Sequence, residues 1–109
     1  MRYARIVQYE LRRGAVDFAI RNARVGLLPI FRRLPGFVSY QVARTGEASV
    51  LSVSQWESKA AAENADRAAA EWVKQNLPET IVSAKPTIAE VAFDSETEGP
   101  SPEIAALHS

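Results

Sequence analysis

A chain of 109 residues, 47% apolar and 24% charged, has the length and balance of one soluble globular domain, with little room for a second core. It has no cysteine, which excludes disulfides, thiolate metal sites and a cysteine nucleophile, and its only histidine, His108, leaves almost no scope for histidine catalysis or haem ligation. The 13 basic and 13 acidic residues cancel, yet residues 1–44 carry nine arginines against two acids and residues 45–109 four basic residues against eleven acids. Either the basic segment meets an external anion or the two segments face each other in the fold.

The first strand signal is Tyr3 to Leu11, closed by Arg12-Arg13-Gly14. Its odd positions offer Tyr3, Val7, Tyr9 and Leu11, its even positions Ala4 and Ile6, so both faces of this strand are expected to be at least partly covered. From Val16 the period becomes helical. Val16, Ala19, Ile20, Ala23, Leu27, Ile30 and Leu34 form one apolar stripe, and Asp17, Arg21, Arg24 and Arg32 lie opposite. Pro29 falls inside this helix, where its missing N–H predicts a kink. Leu34-Pro35-Gly36 stops it.

Phe37 to Arg44 reads as a second strand and Ala48 to Trp56 as a third, with Thr45-Gly46-Glu47 as a three-residue loop in which Gly46 takes positive φ. Ser58 is placed to cap a helix from Lys59 to about Asn76, with an inner stripe of Ala61, Ala65, Ala69, Trp72 and Val73. A short connector leads to a fourth strand, Thr87 to Phe93. Residues 94–109 are acidic and rich in Ser and Pro, the composition of a tail, so the domain is expected at 1–93. Within the tail, Ile104 and Leu107 could dock on Phe18, Val25 and Leu28, the outward apolar residues of the first helix.

A βαββαβ order predicts an α+β, ferredoxin-like sandwich: a four-stranded antiparallel sheet with both helices on one face. Alternation puts Phe37, Ala43, Leu51 and Val53 on faces away from Tyr40, Val42, Val50 and Trp56, so the uncovered face is also apolar. The simplest cover is a second copy, sheet against sheet. No apolar run nears the roughly 20 residues of a membrane span, and the opening MRYARIVQYE lacks signal-peptide character, so a cytoplasmic protein without membrane contact is expected.

The runs ARIVQYELRRG, GLLPIFRRLPGF, SVSQWES and EWVKQNLPE together resemble the antibiotic biosynthesis monooxygenase (ABM) superfamily, over roughly residues 1–93. The resemblance implies a homodimeric α/β barrel built on the ferredoxin-like fold. Among the family's activities it points to a cofactor-independent monooxygenase acting on a hydroxylated aromatic, quinol or polyketide-like. The alternative within the same fold is a non-catalytic dimer that binds a small ligand or another protein. One branch degrades haem with an Asn, a Trp and an axial His on the second helix. This chain departs from that branch, having Asn64, Trp72 and Asn76 there but no histidine. No Walker loop, dinucleotide fingerprint, HExxH or carboxylate metal cluster is present, so no cofactor or metal is expected.

Trp56, at the position carried by the family pattern, either walls an aromatic-binding cavity or packs against the first helix. Tyr40 shares a face with Val38 and Val42 and offers a phenol to a substrate oxygen. Asn22 and Asn64 lie beside their helices' apolar stripes, where an amide can bond a ligand carbonyl, water or backbone. Glu10 and Glu57 are the carboxylates nearest to strand ends, and the catalytic base is left open. Arg21, Arg24 and Arg32 share a face without an aromatic platform, so nucleic acid is not an expected partner. In the second helix, Glu63–Arg67 and Arg67–Glu71 have pairing distance.

Overall fold

The computed structural model describes residues 1–96. Strand β1 (Tyr3–Leu11) leads into a helical arm made of α1 (Val16–Asn22), a π-helical stretch (Ala23–Leu27) and α2 (Leu28–Arg33). Strands β2 (Phe37–Gly46) and β3 (Ser49–Trp56) follow, then α3 (Lys59–Asn76) and β4 (Ile81–Glu90). The four strands pair antiparallel in the order β2-β3-β1-β4, the ferredoxin-like arrangement. The sheet of a single chain is open and does not close into a barrel.

The helical arm is where the structure departs most from simple periodicity. In place of an α-helix kinked at Pro29, a wide π turn precedes the proline, with the Leu28 N–H donating to the Ala23 carbonyl. Pro29 then falls in the first turn of α2, where a missing N–H costs little. The wide turn absorbs an extra residue. As a result Ala19, Ala23, Leu27 and Phe31 stay in one buried line, and Phe31 reaches the core where Ile30 was expected. Leu34 turns extended and Gly36 takes φ 82°, which stops the arm at Leu-Pro-Gly as the sequence predicts.

Three further differences have local causes. The fourth strand is Ile81–Glu90, not Thr87–Phe93: Pro86 is tolerated because β4 is an edge strand, and Phe93, 76% exposed, lies beyond it. The β2–β3 turn is Glu47-Ala48, and Gly46 remains in β2 without positive φ. A register shift between Phe37 and Ser39 rotates Phe37 out of alternation, so it packs on Phe31 and Trp56 in the core.

Ser58 caps α3 by accepting the Ala61 N–H at 3.1 Å, and Ala62, Ala65, Ala69 and Trp72 are buried. Ala61 and Val73 lie at the edge of that stripe, half-buried. On the inner sheet face β1 buries Arg5, Val7, Tyr9 and Leu11, and β3 buries Val50, Ser52, Ser54 and Trp56. Ile6 faces Val53 across the outer side, beside the Gln8–Leu51 and Ala4–Gln55 pairs. That outer face is therefore apolar at its centre and amide-rich around it, more mixed than strand alternation alone suggests. Among the described residues no helix is long and apolar enough to cross a membrane.

Among the described residues, the opposite charges of the two segments meet in two places, Arg2–Asp94 at 3.1 Å and Arg5–Asp66 at 2.9 Å. The third ion pair, Arg44–Asp17, is internal to the basic segment and holds the Asp17 carboxyl below the usual carboxylate range. Among the described residues, Arg21, Arg24 and Arg32 make no ion pair with α3, and neither of the expected Arg67 pairs forms. Glu71 instead accepts from the Gln75 amide at 2.8 Å.

Candidate functional site: a groove and inner cavity at Tyr40

The helical arm crosses the sheet at β2, and the space between them has two parts that share Ile20, Tyr40 and Val42. The outer part is a groove of about 340 Å³ bordered also by Arg24 and Leu28. The inner part, about 30 Å³, runs beneath the arm to Tyr9, Ser52 and Trp72. A space of that size holds one or two waters or a single substituent, whereas the groove has the volume of a small ligand site.

The polar groups here are few and specific. Ser52 is 3% exposed, and among the described residues its Oγ has the Tyr40 hydroxyl nearby but no close, well-directed hydrogen-bond partner. A buried hydroxyl in that state calls for a water or a ligand oxygen. Burial pushes the Tyr40 phenol up to about 12, with a smaller upward push from Tyr9, while the nearby Ser52 hydroxyl and the Arg5 charge pull it down. Tyr40 is therefore a neutral phenol over the whole physiological range. It can donate a hydrogen bond to an oxyanion and cannot serve as a base.

The other candidate residues lie elsewhere. Trp56 is fully buried, edge-on to Phe31 at 5.1 Å and to Phe37 at 5.4 Å, with its indole N–H donating to Ser54 Oγ at 2.9 Å. It lines neither space and reaches the site through Phe31, whose ring lies 4.9 Å from Tyr40, and through Ser54, the strand partner of Tyr40. Asn22 donates to the Phe18 carbonyl of its own helix at 2.8 Å, and Asn64 is half-buried on α3, outside both spaces. Glu10 and Glu57 are exposed. Of the outward apolar residues, Leu28 borders the groove, while Phe18 and Val25 are 44% and 70% exposed. Ile104 and Leu107 fall outside the described residues.

Ser52, Phe31 and Arg5 are the residues that sequence reasoning passed over. For Arg5 the signal was present: it occupies an inward position of a strand whose other inward residues, Val7, Tyr9 and Leu11, are large and apolar, whereas Ser52 shares its inward row with a second serine, Ser54. A polar residue at such a position is the informative exception.

The family model described as "Antibiotic biosynthesis monooxygenase" matches residues 2–72. The chain belongs to the ABM family. That match spans β1 through most of α3 and so includes Tyr40, Ser52 and Trp72. A search of the curated proteins finds no match. Among solved structures, the ABM chain is similar to a monooxygenase of Streptomyces coelicolor in complex with nanaomycin D, at 23% identity and TM-score 0.66, covering 91% of this chain and 92% of that one. It is also similar to SnoaB, a cofactor-independent oxygenase from Streptomyces nogalater, at 14% identity and TM-score 0.67, covering 86% and 96%. A third similar structure is the haem degrader MhuD of Mycobacterium tuberculosis, at 22% identity and TM-score 0.67, covering 84% and 97%. At these identities the likeness establishes the fold. Among the described residues no cluster of three or more His, Asp or Glu could hold a metal ion.

Proposed function

We propose that this ABM protein binds a hydroxylated aromatic in the groove over Tyr40 and oxygenates it with O₂, using the substrate's own electrons. The observation that carries the reading is the placement of a phenol that is neutral at physiological pH, Tyr40, where the groove meets the inner cavity beside the buried Ser52 hydroxyl. Leu28, Ile20 and Val42 offer apolar walls to a ring. Arg24 at the rim favours an anionic phenolate over its neutral form by direct charge attraction. An electron-rich phenolate or the carbanion it delocalises into passes one electron to O₂, and the two radicals combine. Cleavage of the O–O bond leaves one oxygen as the product carbonyl and the other as water, so that a ring CH₂ becomes C=O with both of its hydrogens in the water. Tyr40 stabilises the substrate oxyanion by hydrogen bonding, and the apolar lining keeps water from quenching the radical pair.

Oxygen uptake with anthrone-like phenols and quinols, in the presence of a metal chelator, tests this. Turnover should appear with at least one such substrate, and Tyr40→Phe should lower kcat/KM by about 100-fold, the usual effect of losing one oxyanion donor. No uptake across the panel, or an unchanged rate in Tyr40→Phe, overturns the proposal. The same substitution should act on stability. With its pKa raised from 10.0 to about 12, Tyr40 contributes stability that is whole below pH 10 and lost as the pH rises through about 12. Urea titrations across that window should show a decline in the wild type that Tyr40→Phe reduces.

A second reading rests on the same phenol. The neutral Tyr40 phenol cannot take a proton from a substrate at neutral pH, which fits a ligand-binding dimer without chemistry; binding without oxygen uptake would select it. In either case the chain is proposed to act as a homodimer through the outer face around Ile6, Leu51 and Val53, its barrel completed by two open sheets. Light scattering should then give twice the 12.0 kDa chain mass, and a single-chain mass at micromolar concentration contradicts it. The domain is proposed to span residues 1–93, with the Arg2–Asp94 pair fastening the start of the acidic segment.

A further inference from the structure

Burying an arginine is costly unless its charge is neutralised and its N–H groups find acceptors. Arg5 is 2% exposed on the inner face of β1. Its Nε donates to Asp66 Oδ1 of α3 at 2.9 Å, which neutralises the charge, while its buried Nη1 finds no acceptor among the described residues. The same two residues stand in the wall of a third space, about 280 Å³, between α3 and the edge strand β4. Ala70 and Val73 of α3, Ala84 and Pro86 of β4 and Val7 of β1 supply the remaining walls with Tyr9. The alanines are what leave it open: a larger residue at position 70 or 84 would project into it.

We infer that this α3–β4 cavity is a binding site for a small, mostly apolar ring compound carrying a neutral carbonyl, which accepts a hydrogen bond from the Arg5 guanidinium. The charge state selects the ligand. Arg5 and Asp66 already balance, so an entering carboxylate would add a net negative charge beside Asp66, whereas a ketone or quinone oxygen satisfies the donor and adds none. The volume stands near the lower end of small-molecule sites, about 300 Å³, and suits one or two fused rings. Tyr9 and Val73 line both this site and the inner cavity beneath Tyr40, so the two spaces adjoin. The inference does not require the oxygenase reaction.

The test is an NMR titration of the full chain, without turnover, using three probes: 1-tetralone, tetralin as the same rings without a carbonyl, and 1-naphthoate as an acidic ring. Tetralone should shift the Ala70 and Ala84 amides and bind about tenfold more tightly than tetralin, the discrimination expected of one hydrogen bond from a charged donor. Arg5→Lys, which keeps the charge but loses the planar fork, should weaken tetralone binding by a similar factor. Ala84→Leu, at an exposed position where the fold is not at risk, should abolish it. The inference is overturned if tetralone leaves those amides unmoved at millimolar concentration, if tetralin binds equally well, if naphthoate binds more tightly than tetralone, or if Ala84→Leu binds as the wild type does.

Discussion

Replacing Trp56 with alanine will cost about 3–5 kcal/mol of folding stability, the range for deleting a large aromatic from a well-packed core. The side chain is wholly buried and meets Phe31 and Phe37 edge-on, while Phe31 in turn meets Tyr40, so one deletion loosens a cluster joining the arm, β2 and β3. It also strips Ser54, itself 0% exposed, of the donor at 2.9 Å. Trp56→Phe keeps most of the volume and loses the hydrogen bond, and should cost about 1–2 kcal/mol. Urea denaturation measures both. A loss under about 1 kcal/mol for the alanine variant would mean that Trp56 is not the core residue its packing makes it. Because Trp56 lines neither part of the Tyr40 site, Trp56→Phe should retain ligand affinity once folded.

At Gly26 the expected result reverses an ordinary rule. Glycine to alanine inside a helix commonly stabilises by up to about 1 kcal/mol, through backbone entropy. Here a Cβ would stand 2.8 Å from both Cζ2 and Nε1 of Trp72, a rigid ring that is 8% exposed. The π turn brings the arm's backbone directly onto that indole, so the added methyl must push the arm away from α3. Gly26→Ala should therefore destabilise the protein by about 1–3 kcal/mol, the cost of overpacking, despite its favourable propensity. Thermal and urea unfolding read the sign. A stabilised Gly26→Ala would show that the arm shifts freely and that the contact does not set its position.

The βαββαβ order, the Ser58 cap, the Leu-Pro-Gly stop and the alanine face of α3 were all legible, because each follows from local chemistry that the neighbouring elements reinforce. Phe31 was not. Its inward position depends on a π turn, and a fixed 100° per residue assigns the place to Ile30. Phe37 was misplaced for a parallel reason, since strand alternation fails across a bulge. β4 was set too late in the chain because a proline argues against a strand until the strand is known to be an edge. Within the site, Tyr40 was legible from alternation along β2. Trp56 satisfied the family pattern but turned into the core, and the two asparagines lie away from the groove. Their local positions beside an apolar stripe carry no information about which stretch of sheet lies opposite.

The zero net charge conceals a division that the fold uses sparingly. Arg5 and Arg2 reach the acidic segment, whereas the exposed arginines of the arm stay in solvent, with Arg24 at the mouth of the groove. Those arginines make the entrance to the Tyr40 site more positive than the chain as a whole.

A small aromatic is proposed to enter between the helical arm and β2. Methyl NMR during titration with a dihydroxynaphthalene under nitrogen addresses it most directly, because binding is then read apart from reaction. Entry there produces saturable shifts of the Ile20, Leu28 and Val42 methyls, weakened in Tyr40→Phe. Shifts confined to Ile6, Leu51 and Val53 on the outer sheet face, or none at all, would contradict it.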